Sequence, residues 1–334
     1  MASALARYAY GQARVRARLA RLLPRQQLDT LAGHPDESSL RAELASLGFE
    51  RPSDGVTAAV ADLETMLEGA ARDVVLAYRA RFECENLKLL LRAIERGLPW
   101  AEVEPLLAAG TLGPGRRAEE LLGSSSLAEA VARLDRAPFG DALRRQVRAA
   151  AAQSRPPERF RLELVAERES YEGIWRAVGA LDAADRRAAT RVVGVELDVA
   201  NLVRTLRMRL HHGLGPEEVL AYAIRGGLHL DDRKRAVLAH EPIESWAAQL
   251  ASTPYGAALA AAGATPRLEH ELRRVRARAA ERALSGSPFQ IGLMLGYLVL
   301  VEIQAGDLQR ILEGIRLRRS EEWLRAGLAS TRER

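Results

Sequence analysis

The sequence predicts an all-α fold, and three observations support this prediction. Alanine, leucine, arginine and glutamate, which favour helices, dominate the 334 residues, and only 5% of the chain is aromatic. Apolar residues recur at three- and four-residue spacing over long stretches, as they do on the buried face of an amphipathic helix. No pair of alternating strands joined by a hairpin turn is recognisable.

Helical patterning extends over nearly the whole chain. The predicted helical stretches are, in order, residues 3–23, 54–96, 155–180, 184–212, 266–284 and 289–317. Pro24 ends the first, and Ser285-Gly286-Ser287-Pro288 separates the last two. The most apolar run, Phe289 to Val301, is shorter than the roughly 20 residues of a membrane span. We therefore expect a buried core helix there, and a protein without a transmembrane segment.

Composition gives little support to several classes of function. The chain has 49 basic and 44 acidic residues, hence a formal net charge of +5, and only two of the basic residues are lysine. So small an excess over so long a chain is weak evidence for a nucleic-acid partner. The single cysteine, Cys84, allows no disulfide within the chain and lies in a helical pattern, which indicates a buried thiol.

An internal repeat is the most informative feature of the sequence. The two asparagines of the chain, Asn86 and Asn201, lie 115 residues apart. Each is preceded three residues earlier by an acid and followed directly by a leucine, with a second leucine four residues further on. These flanking residues are Glu83, Leu87 and Leu91 in the first copy, and Asp198, Leu202 and Leu206 in the second. Such agreement predicts a duplicated helical module.

The register continues downstream of both asparagines. Gly97-Leu98 and Gly213-Leu214 each precede a proline and an acidic helix start. Further on, the offset is 116 residues: Gly110 corresponds to Gly226, Leu112 to Leu228, and Pro138-Phe139-Gly140 to Pro254-Tyr255-Gly256.

A third, diverged copy lies near the C-terminus. Gln304 occupies the acid position, Asp307 the asparagine position, and Leu308 and Leu312 the two leucine positions. Ser320-Glu321-Glu322 then provides the corresponding helix start. We therefore predict three repeat units, residues 1–115, 116–230 and 231–334.

In a helix the acid and the two leucines of each copy share one face, because they are four residues apart. The leucines are expected to face a core, and the neighbouring polar pair to orient helix packing within the unit. A catalytic or metal site is disfavoured, because the third copy replaces the acid by Gln304 and the asparagine by Asp307.

The repeated acid–x–x–Asn–Leu segments resemble the signature of the C subunits of V-type and archaeal-type ATPases, a family similar to the d subunit of the eukaryotic V-type enzyme. The segments are Glu83 to Lys88 and Glu196 to Leu202. Residues 291–312 resemble the third copy of that family, and Tyr8 to Arg16 its N-terminal helix. The resemblance covers essentially the whole chain, and its specificity comes from the threefold placement of short motifs.

The resemblance implies three helical units around a pseudo-threefold axis, forming a funnel. It implies a non-catalytic rotor component of a rotary ATP synthase or ATPase, located peripherally on the cytoplasmic face of the membrane. Its partners would be the central-shaft subunits and the proteolipid membrane ring, and its task the transmission of torque during ion transport. It implies no nucleotide, no other cofactor and no small-molecule substrate.

Other sites and classes remain as alternatives. The nearest phosphate cradle, Gly110 to Arg117, lacks the terminal Gly-Lys-Ser/Thr of a P-loop. The histidines include no His-Glu-x-x-His pattern, and His211 and His212 point about 100° apart on a helix, which disfavours a metal site. One alternative is an Arg-rich helical protein that binds nucleic acid, because arginines cluster at 14–21 and 273–282. Another is a helical-repeat scaffold, although the repeats of solenoid proteins are typically shorter than the period of about 115 residues found here.

Overall fold

The computed structural model describes residues 4–49, 54–108, 110, 112–113, 115–262 and 266–332. These residues form α-helices and connecting turns without a strand, which confirms the all-α prediction. The helices are α1 Ala4–Leu19, α2 Arg25–Leu31, α3 Glu37–Ser46, α4 Asp54–Met66, α5 Gly69–Arg96, α6 Trp100–Val103, α7 Arg116–Leu122, α8 Leu127–Arg133, α9 Asp141–Ala152, α10 Arg159–Gly179, α11 Ala183–Leu210, α12 Pro216–Ala221, α13 Asp232–His240, α14 Trp246–Gln249, α15 Pro254–Ala262, α16 Pro266–Leu284, α17 Gly292–Arg316 and α18 Glu321–Ala326.

The long helices agree with the predicted stretches to within a few residues, with one exception. The stretch predicted over 54–96 is divided, because α4 ends at Met66 and α5 begins at Gly69. Gly69 has a φ of 53°, a left-handed conformation that interrupts the regular helix and that glycine adopts without steric cost.

The chain divides into two compact units. The first unit contains residues 1–71 and 180–334, and the second contains residues 72–179. The boundary passes through the first turn of α5, so that α5 belongs mainly to the second unit.

Buried apolar side chains form clusters among the described residues of the first unit. One cluster contains residues of α11, α13, α14, α15 and α16, including Trp246 and Tyr255, which have no exposed surface. Another contains residues of α2, α3, the C-terminal half of α17 and α18. The two ends of the chain therefore share a core.

The apolar half of α17 lies in the interior of the first unit. Residues 291–301 are all buried, and α17 packs along α16, α11, α4 and α1. Within the described part of the chain, none of the helices has both the length and the apolar character needed to cross a membrane.

The second unit is built on α5 and α10. Lys88, on α5, forms an ion pair with Glu167 of α10 at 2.6 Å, and Arg92 forms one with Glu163 at 2.9 Å. Burial alone would lower the pKa of Lys88, but Glu167 and then Glu85 outweigh it, and the pKa is raised. The ammonium group is therefore held charged in the interior.

Side-chain caps define the starts of several helices. Ser126 accepts a hydrogen bond from the backbone N–H of Glu129 at the start of α8, and Ser320 accepts one from Trp323 at the start of α18. Asp36, Asp182 and Asp231 cap α3, α11 and α13 in the same way. Each cap satisfies a backbone donor that the first helical turn leaves free.

Candidate functional site

Asn201, in the middle of α11, binds both backbone groups of a residue 23 positions later. Its Nδ2 donates to the carbonyl oxygen of Ile224 at 2.9 Å, and its Oδ1 accepts from the N–H of Ile224 at 2.8 Å. Asn201 and Ile224 are buried. We call this paired contact between a helix side chain and a returning segment a backbone clamp.

Asn86, on α5, forms the same clamp in the second unit. Its Nδ2 donates to the carbonyl oxygen of Ala108 at 2.8 Å, and its Oδ1 accepts from the Ala108 N–H at 2.9 Å. Ala108 and Ile224 are 116 residues apart, in register with the sequence repeat.

Asp307 forms the third clamp with a different chemistry. Having no donor, it accepts from the N–H groups of Ala329 at 3.0 Å and Ser330 at 2.8 Å. Arg273 of α16 donates to Asp307 Oδ1 at 2.9 Å, so the buried carboxylate is also paired with a cation. Ala329 lies 22 residues after Asp307, the same separation as that between Asn86 and Ala108.

The three clamp helices end in the same manner. Gly97 and Gly213, in the left-handed conformation, follow α5 and α11, and Arg318 takes that conformation after α17 with a φ of 52°. The next residue donates back to the helix in all three cases: Leu98 to Ala93, Leu214 to Met208 and Arg319 to Gly314. The hydrogen bond from Leu214 to Met208 encloses one residue more than the bond from Leu98 to Ala93. This extra residue accounts for the change of the repeat offset from 115 to 116 residues.

Asp198 holds a second turn against α11. Its carboxylate accepts from the N–H groups of Leu228, His229 and Leu230 at 3.1, 2.7 and 3.2 Å. Burial raises the pKa of Asp198, while these bonds act in the opposite direction. Gly227 allows this close approach, because a Cβ atom there would overlap Asp198 Oδ1.

Glu83 performs the equivalent task in the second unit. Its Oε2 accepts from the N–H of Leu112 at 2.7 Å. Gly110 passes directly over the carboxylate, with no room for a Cβ atom. A short 3-10 turn at Glu104–Leu106 precedes this segment, where a phosphate cradle would need a strand. Thr111 and Pro114, two members of the candidate cradle, lie outside the described residues.

Gln304, in the acid position of the third copy, contacts the other end of the chain. Its Oε1 accepts from the backbone N–H of Leu23 at 2.7 Å. Arg25 also binds the C-terminal segment. Its backbone N–H donates to the carbonyl oxygen of Arg332 at 2.7 Å, and its guanidinium group donates to the carbonyl oxygen of Arg325 at 2.7 Å. In the first two copies, Glu83 and Asp198 hold a turn that follows their own helix. In the third copy, Gln304 holds the N-terminal segment at Leu23 instead.

The signature leucines Leu87, Leu202 and Leu308 are buried next to their polar neighbours. Each set of signature residues binds backbone groups of a segment outside its own helix. Sequence reasoning missed which segment each set binds, and it missed Tyr255, whose hydroxyl donates to Asp198 at 2.9 Å. The alignment of Pro254-Tyr255-Gly256 with Pro138-Phe139-Gly140 could have indicated Tyr255. Its hydroxyl is the one polar difference between the two segments, and a buried hydroxyl needs a hydrogen-bond partner.

A further junction was also missed. Asp185, near the start of α11, accepts from the Tyr8 hydroxyl at 2.6 Å and from the Ile291 N–H at 3.0 Å. It thereby connects α1, α11 and the segment before α17. Burial, followed by the bond to Asp185, raises the pKa of Tyr8, so the phenol stays a donor at neutral pH.

The clamp side chains are engaged with backbone groups, which suits them to hold segments rather than to exchange protons with a substrate. In the described ranges, no cluster of three or more His, Cys, Asp or Glu side chains is placed to hold a metal ion.

Several arginines singled out in the sequence are engaged within the first unit. On α16, Arg273 pairs with Asp307, Arg274 with Glu271, and Arg276 with both Glu196 and Glu302. On α1, Arg14 and Arg18 both pair with Asp62. Guanidinium groups held by carboxylates are less available to phosphates, which weakens the nucleic-acid alternative.

Comparison with known proteins gives a consistent result. The model of the ATP synthase (C/AC39) subunit family matches residues 51–326. The chain is similar to the C subunit of the A-type ATP synthase of Methanosarcina mazei, with 23% identity over 330 residues, covering 92% of this chain and 88% of the relative. It is 29% identical over 241 residues to the C subunit of the V-type ATP synthase of Thermus thermophilus. That alignment covers 72% of this chain and 69% of the relative. The family match spans most of the chain, including all three clamp helices, and the chain therefore belongs to the ATP synthase (C/AC39) subunit family.

Proposed function

We infer that this chain is a non-catalytic rotor component of a V/A-type ATP synthase or ATPase. In this role it connects the central-shaft subunits to the proteolipid ring and transmits torque between ion flow and ATP chemistry located elsewhere. It works at the cytoplasmic face of the membrane as a peripheral protein. Membership of the ATP synthase (C/AC39) subunit family, together with the names of its relatives, is the observation that carries this proposal.

The backbone clamps support a mechanical role. A part that transmits torque must resist deformation, and the weak points of a helical protein are the segments between its helices. Here Asn86, Asn201 and Asp307 each fasten such a segment to a long helix by two or more buried or half-buried hydrogen bonds. Bonds of this kind are costly to break, because the separated groups would stay unsatisfied in the interior.

We propose that the three clamps mark three repeat units around a pseudo-threefold axis, with the boundaries 1–115, 116–230 and 231–334. The spacing of 22 or 23 residues from each clamp residue to its partner supports the repeat, as do the starts of α6, α12 and α18 at residues 100, 216 and 321. The bond from Leu23 to Gln304 gives the N-terminal segment a place in completing the third unit.

The decisive experiment is deletion of the gene in an organism that depends on the complex. We expect the membranes to lose ATP-driven ion transport while the soluble catalytic head retains ATP hydrolysis. Expression of the wild-type chain from a plasmid should restore coupling. Retention of ATP-driven transport without the chain would contradict the rotor role.

Copurification distinguishes this role from the Arg-rich nucleic-acid alternative. An affinity tag on the chain should recover shaft and ring subunits from detergent-solubilised membranes. Binding to random-sequence DNA with a steep dependence on salt, without these subunits, would favour the alternative.

A further inference from the structure

A wide cavity in the first unit contains polar groups that the clamps do not use. It has a volume of about 660 Å³ and lies between the end of α15, the start of α16, one side of α17, and α18. The charged side chains that line it are Arg267, His270, Glu271, Arg274, Arg310 and Glu322.

His270 lacks hydrogen bonds despite its burial. Only 9% of its surface is exposed, and neither ring nitrogen has a hydrogen-bond partner among the described residues. The nearest carboxylate oxygen, on Glu271, is 3.9 Å from Nε2. A neutral imidazole has one donor and one acceptor nitrogen, and leaving both unsatisfied in the interior is costly.

Arg310 is the second residue of the cavity with an unsatisfied polar group. Its guanidinium packs over the ring of Trp323, 3.9 Å from the centroid, and against the backbone of Gly327. Its Nε is buried without a hydrogen bond, and the nearby carboxylate of Asp307 is already paired with Arg273. Burial, followed by the charge of Arg273, lowers the pKa of Arg310. An anion in the cavity would compensate both effects.

We propose that this cavity is a binding site for a phosphate group, either inorganic phosphate or the phosphate of a monoester. Arg310 and one nitrogen of His270 donate to phosphate oxygens, and the P–OH group of monohydrogen phosphate, or of a singly protonated monoester, donates to the other nitrogen of His270. An ionised carboxylate, which only accepts, would leave that nitrogen unsatisfied. This inference is independent of the proposed rotor role.

The surroundings of His270 determine how binding depends on protonation. The charged groups around it are Arg273, Arg274 and Glu271 on α16, Arg310 on α17, Arg25 on α2 and Glu322 on α18. Burial first, and then the guanidinium groups, lower the pKa of His270 to about 4. A bound anion offsets this repulsion and therefore raises the pKa of His270.

The test is an NMR titration of the purified full chain. The Cε1–H signal of His270 is assigned by its loss in His270→Gln, and phosphate is added at constant ionic strength set with NaCl. We expect a saturable shift of this signal and a higher midpoint of its pH titration. Glycerol 3-phosphate should act in the same way if the site accepts monoesters, and only inorganic phosphate should act if it does not.

Matched variants and anions complete the test. Arg310→Gln should weaken phosphate binding by about tenfold or more, as expected for a lost charged hydrogen bond. Arg316→Gln removes the same charge from an exposed position on α17 and should leave binding unchanged. Circular dichroism checks that both variants are folded, and the wild-type titration stands without them. Absence of a saturable shift, equal binding of sulfate or an acidic peptide, or equal weakening by both variants would overturn the proposal.

Discussion

Asn201 and Ile224 exchange two hydrogen bonds, from Nδ2 to the carbonyl oxygen at 2.9 Å and from the backbone N–H to Oδ1 at 2.8 Å. The side-chain amide thus pairs with the N–H and the carbonyl group of one residue, as the backbone of a neighbouring β-strand would. Asn86 and Ala108 repeat this pairing in the second unit, whereas Asp307 retains only the accepting half.

Replacing Asn201 or Asn86 by leucine should destabilise the protein by roughly 1–3 kcal/mol, because a backbone N–H and a carbonyl group lose their partner. Urea unfolding followed by circular dichroism measures the change. Gln309→Ala, at an exposed position on α17, should change stability by less than about 0.5 kcal/mol. Loss of a function of the assembled complex without loss of stability would contradict the structural interpretation of the clamps.

A methyl group at Gly227 should weaken the turn held by Asp198. Gly227 has a φ of 119°, and a Cβ atom there would overlap Asp198 Oδ1. Gly213 is a matched control, because it also has a positive φ, of 60°, but a Cβ atom there would meet nothing within 4 Å. We expect Gly227→Ala to lower the free energy of unfolding by at least about 2 kcal/mol more than Gly213→Ala does. Equal losses in urea would show that backbone strain alone is responsible.

Tyr255→Phe tests the hydroxyl that only one copy has. Removing it should cost about 1–2 kcal/mol, because the buried Asp198 carboxylate loses a donor. The reciprocal change, Phe139→Tyr, adds a hydroxyl at the corresponding position, in a cavity of about 250 Å³ that Glu83 also lines. It should therefore be tolerated better than Tyr255→Phe. Thermal unfolding of both variants measures the difference, and the opposite order would contradict the equivalence of the two positions.

Asp307→Asn should release the C-terminal segment. The substitution keeps the size of the side chain but removes the charge that pairs with Arg273, and it brings an amide group towards backbone donors. A loss of about 3 kcal/mol is expected. Hydrogen exchange of the Ala329 and Ser330 amides should accelerate more than that of the α11 amides. Glu313→Gln, exposed on the same helix, is the control and should leave the exchange of both amides unchanged.

His270 should make stability depend on pH between 4 and 6.5. Its pKa is lowered from 6.5 to about 4 in the folded protein, so in this window the unfolded chain binds more protons. Stability therefore rises with pH, and an amount on the order of 2 kcal/mol is lost on acidification from 6.5 to 4. His270→Gln should remove this part of the pH dependence in urea unfolding carried out in phosphate-free buffers. An unchanged slope in the variant would contradict the burial of a neutral imidazole.

Local pattern was sufficient to predict the long helices, because helical periodicity is repeated every few residues and depends little on distant parts of the chain. Short helices such as α2, α3 and α7 were not predicted, because so few turns carry too little periodicity. The repeat spacing likewise identified Asn86, Asn201 and Asp307 as corresponding positions before any contact was known. It also aligned the starts of α6, α12 and α18. The break between α4 and α5 was missed, because a single glycine in a helical pattern is compatible with either outcome.

The partners of these residues were decided by the tertiary structure. A side chain on a helix specifies that it needs a donor or an acceptor, but the returning backbone that supplies it depends on how the whole chain folds. Gln304 is the clearest case: its partner, Leu23, lies 281 residues earlier, and no periodic pattern relates the two. The same holds for Asp185, which reaches Tyr8 and Ile291 only because three distant segments converge in one core. Helix formation is a local equilibrium, whereas hydrogen bonds over such separations form only when the apolar faces have packed.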